Sequence, residues 1–258
     1  MKKLPYIALL VVFVLWAPLA GCHKEQALRP IDDRTITLTT ADDYNNMGIE
    51  WRKKGDLDQA IAFYNKALEL SPRYARAFNN RGVAWKMKGD LNQALADYNE
   101  AIQIDPLLAA AYNNRGVIFW MSDDYSQAVA SYNKALSLNV YDADTYNNRG
   151  VAKETKGHID QAIENYKKAI ELDPKHTSAH NNLGVALRVG GDIDGAIAHY
   201  NRALEIDPGF ADVYFNRGIA WKIKGDLRQA VSDMKKALSL RPQDKKFQGL
   251  LAYLESIL

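Results

Sequence analysis

YNNRGV occupies Tyr112–Val117 and returns unchanged at Tyr146–Val151. Near-copies, FNNRGV and YFNRGI, stand at Phe78–Val83 and Tyr214–Ile219. Asn and Gly are poor helix formers, each less favourable than Ala by several tenths to about 1 kcal/mol in a helix interior. Yet the residues around them carry helical spacing. Aligned on this stretch, the chain divides into six blocks of 34 residues without insertion: 41–74, 75–108, 109–142, 143–176, 177–210 and 211–244. A fixed period of this length is the mark of a stacked-repeat protein.

Position 8 of every block is Gly (Gly48, Gly82, Gly116, Gly150, Gly184, Gly218), and positions 20 and 27 are always Ala. Position 24 is Tyr64, Tyr98, Tyr132, Tyr166 and Tyr200, then Met234. Gly-Asp at positions 15 and 16, as in Gly55-Asp56 and Gly225-Asp226, predicts the end of one helix and the cap of the next. Pro at position 32 of five blocks predicts the stop of the second helix. Small residues at 8, 20 and 27 let the two helices approach, while aromatics at 4, 11 and 24 fill the space between them. One pair cannot bury its apolar face alone, so the blocks are expected to stack. Residues 245–258 place Phe247, Leu250, Leu251, Leu254 and Ile257 on one helical face, as a capping helix would.

This pattern resembles the tetratricopeptide repeat (TPR). The resemblance implies an all-α, right-handed superhelical solenoid of six helix-turn-helix repeats plus the C-terminal capping helix. First helices would line a concave groove and second helices the convex side. Departures fall in the middle of the array: Asp123 replaces the turn Gly, Val140 the Pro, and Lys153 the residue elsewhere aromatic or Leu at position 11. They read as drift.

In the family, positions 2, 5, 6, 9, 12 and 13 of the first helix face the groove. Position 6 is Asn46, Asn80, Asn114, Asn148, Asn182 and Asn216, and position 5 adds Asn45, Asn79, Asn113, Asn147 and Asn181. Their summed helix propensity amounts to roughly 5–7 kcal/mol relative to Ala. An amide offers donors and an acceptor and can pair with both groups of a passing main chain. Packed helices lie about 8–10 Å apart, which an extended peptide covers in about three residues. The arrangement resembles the asparagine ladder of solenoids that hold extended peptides sequence-independently. On this reading Ala in place of Asn114 or Asn148 leaves the helices intact or firmer and weakens peptide capture. The same amides could instead satisfy neighbouring helix ends.

Beside the ladder runs an apolar strip at position 9 that includes Val117 and Val151. Position 12 reads Arg52, Lys86, Trp120, Glu154, Arg188 and Lys222. Basic residues at both ends and an exposed Trp120 between them suggest an uncharged or mildly acidic ligand with an apolar anchor. Position 9 carries no Asn and position 5 no Lys, so the carboxylate clamp of chaperone-binding relatives is absent. Position 7 (Met47, Arg81, Arg115, Arg149, Leu183, Arg217) matches position 23 (Phe63, Asp97, Ser131, Asn165, His199, Asp233) in kind. That matching predicts contact across the helix pair and a structural role for Arg.

Upstream of the repeats, Met1-Lys2-Lys3 and the apolar run Ile7–Trp16 form a leader too short to span a bilayer. It ends in Leu19-Ala20-Gly21-Cys22, and Cys22 is the only cysteine. This resembles the lipobox of bacterial lipoproteins. The resemblance implies a signal peptide over 1–21, diacylglycerol on the Cys22 thiol, cleavage before it, and a lipid-anchored tether over 22–40. His23 follows where a membrane-retention Asp would sit, which by resemblance to lipoproteins of two-membrane bacteria implies the inner leaflet of the outer membrane, facing the periplasm.

Loss of Lys2 and Lys3 leaves 31 basic against 31 acidic residues, and no basic cluster suggests nucleic acid. No leftover segment carries a nucleophile-base pair. His176 and His180 are four apart, but without convincing metal spacing. The expectation is a lipid-anchored periplasmic scaffold for extended peptide segments of other proteins, without catalysis, cofactor, metal or small-molecule substrate. The alternative is an assembly factor resembling the lipoproteins that escort secretins in type IV pilus biogenesis.

Overall fold

The computed structural model describes residues 38–258. Cys22, the expected signal peptide and nearly all of the expected tether lie outside the described residues. The first three repeats are α1 (Ala41–Lys53) with α2 (Leu57–Leu70), α3 (Ala75–Lys88) with α4 (Leu91–Ile104), and α5 (Ala109–Met121) with α6 (Tyr125–Leu138). The next three are α7 (Ala143–Thr155) with α8 (Ile159–Leu172), α9 (Thr177–Val189) with α10 (Ile193–Ile206), and α11 (Ala211–Lys224) with α12 (Leu227–Leu240). A last helix, α13 (Lys245–Ser256), packs on α12. The two helices of a pair pack most closely on each other, and each second helix packs next on the first helix of the following pair.

The turns within pairs follow from local chemistry. Gly55, Gly89, Gly157, Gly191 and Gly225 adopt φ of 82 to 92°, where a Cβ is strained. In the third repeat Asp123 takes that conformation at φ 61°, and its carboxylate accepts from the Tyr125 hydroxyl at 2.5 Å. Asp56, Asp90, Asp124, Asp192 and Asp226 each accept the backbone N–H three residues on, which caps the second helix. All six second helices stop at position 30, including Leu138, after which Val140 replaces Pro. Pro is therefore not what fixes the stop. Asn139 accepts from the N–H of Tyr141, as Asp105, Asp173 and Asp207 do from the residue two further on. In these four repeats a side-chain turn therefore follows the last helical residue.

The pair itself is set by Gly at position 8. A Cβ on Gly116 would lie 2.5 Å from Tyr132 Cε1, and the same ring edge stands 2.5 to 2.7 Å from the Cβ position of Gly48, Gly82, Gly150 and Gly184. These five tyrosines are fully buried. In the sixth repeat, Met234 Cε takes the place where a Cβ on Gly218 would stand.

Contact between repeats runs through positions 3 and 10 of the first helix. Ala77, Ala111, Thr145, Ala179 and Val213 at position 3 are wholly buried, as are Ala84, Ile118, Ala152, Ala186 and Ala220 at position 10. The first repeat has Asp43 and Glu50 there. Asp43 completes a capping box with Thr40, and Glu50 pairs with Lys53 at 2.8 Å. At the other end α13 supplies larger apolar groups in the same register. Phe247 stacks on Phe215 with centroids 5.0 Å apart, and Leu254 enters the cluster of Ala230, Val231 and Met234. Ile257, expected on that face, falls beyond the helix and is exposed.

Arg at position 7 braces the stack as its pairing with position 23 predicts, and reaches further. Arg81 holds Asp97 with two bonds of 2.9 and 2.7 Å, Arg217 holds Asp233 with 2.8 and 2.7 Å, and Arg149 reaches Asn165 at 2.7 Å. The remaining arm of each extends to position 25 of the preceding repeat, where Asn65, Asn99, Asn133 and Asn201 accept from Arg81, Arg115, Arg149 and Arg217. Each guanidinium also lies over the aromatic ring at position 4. Burial raises the Asp97 pKa despite Arg81, so the pair specifies geometry more than it adds stability.

Repeat five replaces this whole set. Leu183 is buried where four other repeats carry Arg, and its counterpart at position 25 is Lys167 instead of Asn. His180 Nδ1 meets His199 Nδ1 at 3.1 Å, and His180 Nε2 meets the Pro174 carbonyl at 3.2 Å. The carbonyl can only accept, so His180 carries its proton on Nε2 and accepts from His199 at Nδ1. Protonating His180 would set two N–H groups against each other.

Two outcomes follow for stability. Gly116→Ala should cost about 1–2 kcal/mol in chemical denaturation, the crowding of Tyr132 exceeding the helix-propensity gain of Ala. Gly218→Ala, facing a flexible Met, should be close to neutral. Burial holds the His180 and His199 pKa values below the ordinary 6.5. The unfolded chain therefore binds more protons, so stability is complete above about pH 6.5 and declines below it. Denaturation midpoints between pH 7.5 and pH 5 should fall, and His180→Phe with His199→Asn should flatten that part of the profile.

Candidate peptide-binding face

Successive first helices touch along the whole array, α1 with α3 through to α9 with α11, while no comparable contact joins successive second helices among the described residues. The face of the first helices is thus the inner side of the stack. The amides meet there in pairs. Asn80 donates its Nδ2 to Asn45 Oδ1 at 2.9 Å, a partner 35 residues earlier. Asn114 donates to Asn79, Asn148 to Asn113, Asn182 to Asn147 and Asn216 to Asn181, at 2.9, 3.2, 3.0 and 2.9 Å. Position 6 of each repeat is therefore strapped to position 5 of the one before, at all five junctions.

This pairing divides the predicted ladder by availability. Asn79 and Asn147 are buried and Asn113 is half-buried, each with its carbonyl oxygen occupied. Asn182 and Asn216 are only 7% and 1% exposed, so the C-terminal rungs are closed. Asn46 is exposed, and Asn80, Asn114 and Asn148 are half-buried, each with one donor engaged. Their carbonyl oxygens accept from no side chain or backbone among the described residues. These four form the rungs open to solvent.

The neighbouring positions also differ from expectation. Val117 and Val151 at position 9 are half-buried in the core clusters of their own repeats. The exposed apolar residues stand at position 13: Met87, Met121, Val189 and Ile223 are 41 to 58% exposed. Sequence reasoning placed this position on the groove without remarking on its hydrophobicity. Trp120 is half-buried against Tyr132 and Ala152, and its indole N–H is buried without an acceptor.

At position 12, Arg52 lies against the Tyr64 hydroxyl and Arg188 against that of Tyr200. Glu154 accepts from the Tyr166 hydroxyl at 2.6 Å, and burial pushes its carboxyl pKa up. Burial, then the charge of Arg52, holds the Lys86 ammonium below its ordinary value. Lys222 sits over the Tyr253 ring at 4.5 Å, so α13 covers the basic residue at the far end. Among the described residues no three His, Cys, Asp or Glu side chains gather as a metal site, and no helix is long and apolar enough to cross a membrane.

The strapped amides revise the expected effect of Ala at these positions. Asn216→Ala strands the buried Asn181 carbonyl and should cost about 1–2 kcal/mol. Asn46→Ala removes no bond and should stabilise by about 0.5 kcal/mol through helix propensity. Urea denaturation of the two variants against the parent measures both signs.

Comparison with known proteins agrees with this architecture. Profiles described as tetratricopeptide repeat or TPR repeat match residues 50–89 and 87–123, 107–175, 147–209 and 211–244. No curated protein matches the chain. Among solved structures, MamA is 30% identical, with 64% of this chain covering 97% of it at a TM-score of 0.55. YrrB, described as a TPR protein with an unusual peptide-binding site, is 25% identical, with 75% of this chain covering 97% of it at 0.57. PilF of Pseudomonas aeruginosa is 21% identical, with 83% covering 97% at 0.73, a likeness of fold. The Cut9-Hcn1 complex of the APC/C gives 0.78 at 20% identity over 83% of this chain, which spans only 43% of that partner's length. With these matches running across all six helix pairs, the chain belongs to the tetratricopeptide repeat family.

Proposed function

We propose that this protein is a scaffold that holds extended segments of partner proteins along its first helices, anchored by lipid on Cys22 at the periplasmic side of the outer membrane. The observation that carries the reading is the state of Asn80, Asn114 and Asn148. One donor of each is fixed in a strap, so the amide cannot rotate freely, while its carbonyl oxygen remains to accept from a peptide N–H. One such oxygen per repeat suits a strand laid across helices, and it reads no side-chain sequence. The exposed position-13 ridge gives the same strand an apolar side. YrrB, a relative of equal repeat type, is described as having a peptide-binding site of its own. The anchor rests on the Leu19–Cys22 motif and the leader before it. The scaffold performs no catalysis and needs no cofactor.

A pilotin-like assembly role is the second reading, favoured by the match to nearly the whole of PilF. It predicts docking of a folded partner instead of a strand.

Methionine-methyl NMR separates the two. Met87 and Met121 are exposed on the first helices, whereas Met234 is buried. Peptides selected from an array of unstructured sequences should shift Met87 and Met121 and leave Met234 in place. Perturbation confined to second helices, or no selected peptide at all, refutes the strand reading. Labelled palmitate should enter the parent and not Cys22→Ser; equal labelling refutes the anchor.

A further inference from the structure

The first three repeats hold a set of hydrogen-bond donors that lack acceptors. Tyr64 and Tyr98 are fully buried, and neither hydroxyl finds an acceptor; Arg52 Nε and Trp120 Nε1 are buried without one as well. Arg188 Nε and the Tyr200 hydroxyl repeat the pattern in repeat five, but there the Glu154 carboxylate lies within electrostatic reach. Burial raises both tyrosine pKa values, so each hydroxyl keeps its proton at neutral pH. Arg52 lies against Tyr64 and within electrostatic reach of Tyr98 and of Lys86. Among the described residues, neither Arg52 nor Lys86 forms an ion pair. Unpaired buried donors are costly and uncommon in native proteins. What is missing here is always the same thing, an acceptor.

Repeat four shows what fills such a place. There position 12 is Glu154, whose carboxylate accepts from the Tyr166 hydroxyl at 2.6 Å and is favoured by the charge of Arg188. Repeats one and two carry cations at the same position, over the same tyrosine. Neither repeat one nor repeat two has a carboxylate of its own in that place.

We propose that the inner face of repeats one to three is a subsite for an acidic side chain of the bound segment, Asp or Glu. Arg52 and Lys86 meet its carboxylate in the place that Glu154 occupies in repeat four, beside Tyr64, Tyr98 and Trp120. The source of the carboxylate rests on the peptide-scaffold reading, yet carboxylate binding is measurable alone. A charge-assisted bond to a partly desolvated cation is among the stronger polar contacts. It would also fix where along the inner face an acidic residue of the segment sits, because the equivalent place in repeat four presents a negative charge instead. An acidic residue toward the N-terminal repeats is attracted, and one toward Glu154 is repelled.

The test uses three small probes followed by the Trp120 indole N–H resonance and the Lys86 ammonium titration. N-acetylglutamate α-amide should shift the indole signal, raise the Lys86 pKa, and bind about tenfold more tightly than N-acetylglutamine α-amide or N-acetylglycine. Lys86→Gln should abolish that preference without changing the circular-dichroism spectrum. Lys86→Glu copies repeat four into repeat two; it should melt at a higher temperature than the parent and bind the glutamate probe no better than the glutamine one. Equal binding of all three probes, preference for the terminal carboxylate of N-acetylglycine, or a lowered melting temperature for Lys86→Glu overturns the proposal. If peptides still shift Met87 and Met121 in that case, the scaffold reading stands and only the acidic subsite falls.

Discussion

An aromatic ring lying where a Cβ would otherwise be sets the distance between the helices of each pair. Five tyrosines and one methionine take this place over the glycines of position 8, and all else in the stack depends on the approach they allow. Close approach buries the alanines of positions 20 and 27. It also buries the tyrosine hydroxyl deep in the pair, at the level of position 12. That hydroxyl needs a partner, so the residue at position 12 becomes a structural question and a functional one together. Repeat four answers it internally with Glu154, and repeats one, two and five do so with cations or not at all.

Much of this could be read from the chain. Period, turn, glycine, alanine and tyrosine are local features repeated in register, and repetition turns a weak signal into a firm one. The Arg pairing was legible because positions 7 and 23 change together. Its second arm could have been found the same way, since Lys167 replaces Asn where Leu183 replaces Arg. The burial of positions 3 and 10 was written in the contrast between Asp43 or Glu50 and the alanines below them. By contrast, the strapping of one Asn to another depends on the rotation between successive repeats, which no local pattern encodes. The exposure of Trp120 was misjudged for the same reason: its cover comes from Ala152 of the following repeat.

The amides therefore have two duties, and the structure shows how they combine. A helix of better formers would be more stable locally, but the inner face would then lose the one polar contact between repeats that is present at all five junctions. A bond between identical side chains, made at every junction, helps specify the rotation between repeats, as buried polar groups can in other helical assemblies. Once the donor is so held, the acceptor is aimed, and preorganisation of this kind lowers the entropic cost of binding a flexible strand. The closing of Asn182 and Asn216 beneath neighbouring side chains confines the available rungs to the N-terminal part of the array.

Each strap joins residues 35 apart in a chain whose period is 34, and that one-residue offset separates length from register. A unit taken out of, or copied into, the middle of the array would leave every remaining Asn facing another Asn at the same offset. Lineages carrying such a chain could lengthen or shorten the inner face by whole steps of one rung, with the ends, Asp43 and Glu50 on one side and Phe247 and Leu254 on the other, left untouched. Recombination within a stretch that two blocks share, such as the YNNRGV of the third and fourth, would supply those steps in whole repeats.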